Sequence, residues 1–378
     1  VTTIEGAIQA RYPIDGQPIR VWFVNDDNMV VVLSAEGFVS FIDLETEDIT
    51  QTKEFATATS AGKMTKDEQF LLVWSYYSNT LHFISVPEQK HVAKVTVGRN
   101  IGQVEFISEG KQAVITAVGS RQISVVDIET QEIVRTHQMD KAIGHLAISE
   151  DQVWMVASGG VYRSRERTGS DLVALGLEPS VFGEEHGRRA LPISHHPRGI
   201  DTLEKNGQIL VADRENSAIL SLNILDKDSS IERLDLGRRP ERIYRTGNPH
   251  ERMVLTQGEA VVDRIIAKPE MPMVHDGRVW LSGSPWGLFP FKDSKWMLAT
   301  IPGREIISRR YHGGPKVIYG LKARDGQARD SIALINTQTM REVDLIQTDE
   351  GPIDIAISKT QQTLAVACAS ANRVDIIH

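Results

Sequence analysis

Three stretches of the chain share one alternation of apolar and polar positions. "MVVVLSAEGFVSFIDLETEDI" (29–49) passes from an apolar segment through a short break into a second, alternating segment that ends on Asp-Leu and a polar turn. "AVITAVGSRQISVVDIETQEIV" (113–134) repeats the order, with "SVVDIETQ" where "SFIDLETE" stood, and "DSIALINTQTMREVDL" (330–345) carries the second segment, the turn and an outer strand. β-Branched residues alternate with small or polar ones, and the turns hold Asp, Glu, Thr, Asn and Gly, a pattern of short antiparallel strands. The unit predicts a four-stranded antiparallel meander. Such a sheet cannot bury both faces alone, so its copies must stack on one another. No convincing amphipathic helix interrupts the pattern; the best candidate is "EPSVFGEEHGRRAL" (178–191).

The innermost strand of each unit is recognised by a short motif ending on an apolar residue. These read "QPIRV" to Val21, "SAGKM" to Met64, "NIGQV" to Val104, "AIGHL" to Leu146, "HPRGI" to Ile200, "RPERI" to Ile243, "SPWGL" to Leu288 and "GPIDI" to Ile355. The spacings are 43, 40, 42, 54, 43, 45 and 67, and from Ile355 through the C-terminus and on from Val1 to Val21 is a further 44. The last unit therefore supplies three strands at the C-terminal end, and "TTIEGAIQARY" near the N-terminus supplies the fourth. Pairing the two ends closes a ring and removes open sheet edges. The expectation is an all-β, eight-bladed β-propeller forming a single domain. Seven blades is the alternative if the loosely patterned 238–350 region holds one sheet fewer.

The two long spacings place insertions at about 159–194 and 302–330. The first contains Arg163, Arg165, Arg167, Arg188 and Arg189; the second contains Arg304, Arg309, Arg310, Tyr311, His312, Lys322 and Arg324. Both are expected to be basic, loop-like excursions with glycine hinges, and long connections of this kind commonly bind something. Each follows the second strand of its blade, so both should emerge on one face. The innermost strands start on the opposite face or cross toward it, which leaves open whether the excursions cap the channel mouth.

Strand side chains alternate, so the residue before each aligned apolar position is expected to face the axis. That set is Arg20, Lys63, Gln103, His145, Gly199, Arg242, Gly287 and Asp354. Three firm positive charges against one negative make a mildly basic ring suited to a carboxylated or phosphorylated ligand. A shift of one residue would give Ile19, Gly62, Gly102, Gly144, Arg198, Glu241, Trp286 and Ile353, a less uniformly polar set. His195 and His196 in "SHHPRGID" open the fifth inner strand; adjacent residues on an extended chain point apart and do not chelate one ion easily.

Composition narrows the function classes. The net charge of −8 argues against a general affinity for nucleic acid or anionic membrane, and no apolar run approaches the roughly 18–20 residues of a membrane-spanning helix. Cys368, the single cysteine, lies in the apolar run "TLAVACAS" and reads as a buried small hydrophobe. There is no disulfide framework and no cysteine-based zinc site, which fits a periplasmic protein. The chain opens on Val1 rather than Met, as after removal of a leader. Trp74, Tyr76 and Tyr77 in "VWSYYSN" are expected to pack between blades. No nucleophile elbow, phosphate loop, dinucleotide fingerprint, H-E-x-x-H helix or c-type haem attachment site occurs. Noncovalent haem needs only a His or Tyr ligand, and His145, His275 and His312 are the candidates for it.

The turn sequences "SFIDLET" (40–46), "SVVDIET" (124–130) and "ALINTQT" (333–339) resemble the V-x-V-x-D-x-x-T pattern of the YVTN/YncE-type bacterial β-propeller family over essentially the whole chain. The blade count also resembles haem d1-type propellers, whereas the Trp-Asp signature of WD40 repeats is missing. These resemblances imply architecture. Two functions follow from them: a non-catalytic binding or scaffold protein for a protein partner or small anionic ligand, and a redox or cofactor-handling subunit associated with haem or a quinone.

Overall fold

The computed structural model describes residues 6–56, 58–159, 171–191, 199–203, 207–237, 239–256, 259–268, 271–309, 317–323 and 330–378. Eight four-stranded antiparallel sheets are arranged as the blades of a β-propeller. Their inner strands are Pro18–Val24, Ala61–Met64, Ile101–Ile107, Ile143–Ile148, Ile200–Leu203, Arg242–Arg245, Gly287–Phe291 and Pro352–Ile357, for blades 1 to 8 in that order. Blade 8 contains Pro352–Ile357, Leu364–Cys368 and Arg373–Ile377 from the C-terminal end, and Ile8–Pro13 completes it as the outer strand. The predicted closure is therefore formed, and eight is the blade count. Among the described residues no helix is long and apolar enough to cross a membrane.

Packing confirms the ring. Eight apolar clusters each join two neighbouring blades, from blades 1 and 2 through to blades 8 and 1. The second strand of blade 1 shows how the pattern works: Val31 and Leu33 enter the cluster with blade 2, and Val30 and Val32 enter the cluster with blade 8. A strand buried on both faces reads as a continuous apolar run, and this is why "MVVVL" lacks polar alternation. Trp74 and Tyr76 are buried as expected, but Tyr77 is 52% exposed. Cys368 is buried, and that burial, reinforced by Asp375, pushes its thiol pKa up.

The repeated turn has a specific job. The Oδ1 atoms of Asp43, Asp127 and Asn336 each accept backbone N–H groups two and three residues on, at 2.9–3.1 Å. This closure fixes the step from third to fourth strand. Asn223 makes the same pair of bonds in "SLNILD", a copy the sequence pattern conceals.

The insertions depart from expectation. Most of 159–194 is blade: Asp171–Gly176 and Glu185–Ala190 are the third and fourth strands of blade 4. The helix candidate 178–191 is thus a turn followed by a strand. Arg188 is bonded to Glu185 and Asp140, and Arg189 reaches Asp226 O and Ser229 of blade 5, so both are structural. The second insertion contains a two-stranded hairpin, Arg304–Arg309 with Val317–Ala323, where a loop was expected. Arg163, Arg165, Arg310 and His312 lie outside the described residues, as do Arg167, Tyr311, Arg324, His195 and His196, and Arg309 is placed only by its backbone.

Candidate functional site

The inner strands are irregular where the axial residues sit. Pairing between first and second strands slips at Pro18/Arg20, Ile101/Val104, Ile143/Leu146 and Pro352/Asp354. A bulge re-aims the side chain it carries. In blades 3 and 4 a hydroxyl on the second strand takes the N–H freed at this point, Thr116 Oγ1 from Gln103 (2.9 Å) and Ser158 Oγ from His145 (3.0 Å), and in blade 7, without a slip, Thr300 Oγ1 accepts the Gly287 N–H (3.1 Å). The alternative, one-residue-shifted set includes Ile353 at 2% and Glu241 at 4% exposure, the former inside the cluster between blades 8 and 1.

A cavity of about 380 Å³ opens where the inner strands of blades 8, 1 and 2 approach one another. Arg20, Lys63 and Asp354 line it together with Trp22, Phe23 and Ile355. Asp354 is nearly enclosed: Oδ1 accepts Arg20 Nη1 at 2.7 Å and Oδ2 accepts the Val21 N–H at 3.0 Å. Burial pushes its carboxyl above the usual carboxylate range, although Arg20, the Val21 N–H and Arg242 pull the other way. Lys63 pairs with Glu105 and lies 5.6 Å from the Phe106 ring centre.

The remaining predicted residues are dispersed around the axis. Gln103 holds blade 4, donating to Leu146 O (2.9 Å) and accepting the Leu146 N–H (3.0 Å), while its Nε2 also donates to Glu105 Oε1. His145 is partly buried at its place in blade 4 and does not line the cavity. Arg242 makes one long contact, to Tyr244 Oη at 3.5 Å. Burial opposes its charge, but Tyr244, Glu241 and Asp354 more than offset this and hold the guanidinium pKa above its ordinary value. Gly199 and Gly287 flank Arg242 on the neighbouring blades; a Cβ on Gly199 would press on the backbone of residues 241–243 at 3.3–3.4 Å.

One carboxylate near the axis was missing from the sequence reading, and another stood only in its shifted set. Glu105 shares a strand face with Gln103, and Glu241 adjoins Arg242. Among the described residues, Asp354 pairs with Arg20 and Glu105 with Lys63, while Glu241 and Asp354 both act on Arg242. The i+2 position on an inner strand was the available signal for Glu105.

The relation of axis to insertions is also resolved. Turn residues after the second strands bond to the chain just before the inner strands: Ala35 N to Gln17 O (2.8 Å), Val118 N to Asn100 O (2.9 Å) and Ala369 N to Gly351 O (2.8 Å). Asp330 Oδ1 accepts from Gly303 at the base of the second insertion (2.8 Å) and from Gly351 at the start of blade 8 (2.7 Å). Inner strands therefore start on the face that carries the excursions, contrary to the expectation that they start opposite. His275 stands apart, on the outer strand of blade 6, where it shares the buried Asp263 with Arg278.

No family model and no curated protein sequence matches the chain. Its fold is similar to that of several solved structures. Dihydro-heme d1 dehydrogenase NirN in complex with DHE gives a TM-score of 0.67 at 12% identity, over 98% of this chain and 78% of that one. Hydrazine synthase of Kuenenia stuttgartiensis gives 0.58 at 15%, over 99% and 98%. The Cps50 (Swd1) β-propeller domain of Myceliophteria thermophila gives 0.58 at 10%, over 84% and 96%. At such identities the likeness is one of fold.

Proposed function

We propose that this protein is a non-catalytic binding propeller whose axial mouth takes a small anionic ligand, with the surrounding loop face available to a protein partner. The observation that carries the reading is the convergence of Arg20, Lys63 and Asp354 on one cavity, on inner strands whose starts face the two excursions. Its volume of about 380 Å³ falls at the lower end of small-molecule sites, which run roughly 300–1,000 Å³. The D-x-x-T turns support a YVTN/YncE-type repeat, and the single cysteine supports a periplasmic location.

Isothermal titration with benzoate, citrate and inorganic phosphate tests the site. The triple variant Arg20→Gln, Lys63→Gln, Arg242→Gln should lose whatever anion binding the wild type has. Unchanged affinity would remove the axis from consideration. A cofactor-handling role, suggested by likeness to a dihydro-heme d1 dehydrogenase, fits this cavity poorly. Among the described residues none that lines it is a His, Met, Cys or Tyr, the side chains that ligate haem iron. A visible absorption spectrum and elemental analysis of protein from the native host test that point directly.

A further inference from the structure

Resting on the axial reading above, we infer that the ligand is a small monocarboxylate, in preference to a phosphate or a polyanion. The inference comes from counting hydrogen-bonding groups rather than charges. Asp354 accepts on both oxygens, from Arg20 and from the Val21 N–H. Glu105 also accepts on both, from Lys63 and from Gln103. A guanidinium offers five N–H groups. Among the described residues Arg20 commits only Nη1, to Asp354, and Arg242 commits only Nη1, to Tyr244.

Arg20 and Arg242 therefore keep N–H groups that no described residue takes. Only an acceptor group satisfies such a site, and a carboxylate is an acceptor-only group whose planar geometry matches the guanidinium fork. The second and third charges of a polyanion would meet the carboxylate of Asp354, which lines the cavity, and that of Glu105 on Lys63, and like charges at close range oppose one another. Asp354 holds the Arg20 guanidinium in place, so its fork is oriented before the ligand arrives. Trp22, Phe23, Ile355 and Ile357 contribute apolar surface for a short hydrocarbon body.

The test is isothermal titration of the wild-type chain with benzoate, propionate, citrate and pyrophosphate at constant ionic strength. Benzoate or propionate is expected to bind more tightly than citrate or pyrophosphate. Arg20→Gln should weaken that binding at least tenfold, and Arg20→Lys, which keeps the charge without the fork, should not restore it. Lys227→Gln, at an exposed turn on blade 5, should leave it unchanged. Melting curves of each variant establish that it is folded. Tighter binding of citrate or pyrophosphate overturns the monocarboxylate assignment and leaves an axial anion site standing. Binding of none of the four overturns both, and full affinity in Arg20→Lys overturns the fork geometry.

Discussion

Replacing Asp201 by Asn should destabilise the propeller more than any other single polar exchange between blades. Asp201 lies on the inner strand of blade 5 and accepts Arg245 Nε at 2.8 Å and Arg252 Nε at 2.5 Å, both from blade 6. Arg252 is 1% exposed, and among the described residues its other partners are the backbone carbonyls of Pro249 and Glu251. Asn keeps the shape but leaves that buried guanidinium without its counter-ion. Breaking a buried pair from one side costs about 3–5 kcal/mol, whereas the half-exposed Arg245 adds little. Unfolding entropy of about 2.1 cal/mol/K per residue over 378 residues converts this to a fall in Tm of about 4–6 °C. Differential scanning calorimetry at neutral pH measures it. Arg252→Met removes the charge and keeps an apolar stem, so the double variant should lie well above the sum of the two losses, with a coupling of about 2 kcal/mol or more. A Tm within about 1 °C of wild type for Asp201→Asn, or strict additivity in the double variant, would refute the reasoning.

Three further outcomes are expected. His82 is buried with Nδ1 3.2 Å from His91 Nε2, and burial, with His91 and Lys94 nearby, lowers its pKa to about 4. The native state therefore resists protonating it. This contribution is complete above the ordinary value of 6.5 and is lost as pH falls towards 4, by up to about 3 kcal/mol; His82→Gln should flatten the pH dependence of Tm over that window. A chain beginning at Ile14 leaves Arg373–Ile377 unpaired on its outer side, so size-exclusion chromatography should show self-association together with a lower Tm. Cys368 should resist thiol reagents until denaturant is added, and stoichiometric labelling of the native protein would contradict its burial.

Blade number and closure were legible because they rest on local chemistry that recurs from blade to blade. The aspartate or asparagine that closes the outer turn is written at Asp43, Asp127 and Asn336, and two-sided burial is written in the apolar second strands. The excursions were misread where composition stood in for pairing. Arg188 and Arg189 suggested a basic loop, yet their charges are met by Asp140, Glu185 and carbonyls of the next blade, contacts that exist only once blades 4 and 5 are stacked. The hairpin of the second insertion was hidden in the same way, since its glycines suggested hinges, while Glu105 was overlooked for want of a register.

The axial site was the least legible part, and its construction explains why. Arg20 and Asp354 are separated by 334 positions and meet only because the ring closes. Blade 8 can bring Asp354 beside Arg20 only if Ile8–Pro13 completes its sheet, so the latch at the outer rim and the pair at the axis stabilise the same blade. Bulges at Arg20 and Asp354 then turn both side chains away from the interblade clusters that the neighbouring Val21 and Ile353 enter. Consecutive residues of a strand face opposite ways, so a closely packed ring can keep charged groups at its centre beside residues that enter its clusters; Lys63 does so on an inner strand whose pairing has no slip. It follows that loosening the latch should reach the axis: a chain lacking Ile8–Pro13 should lose affinity at Arg20 even though no residue near the cavity has changed.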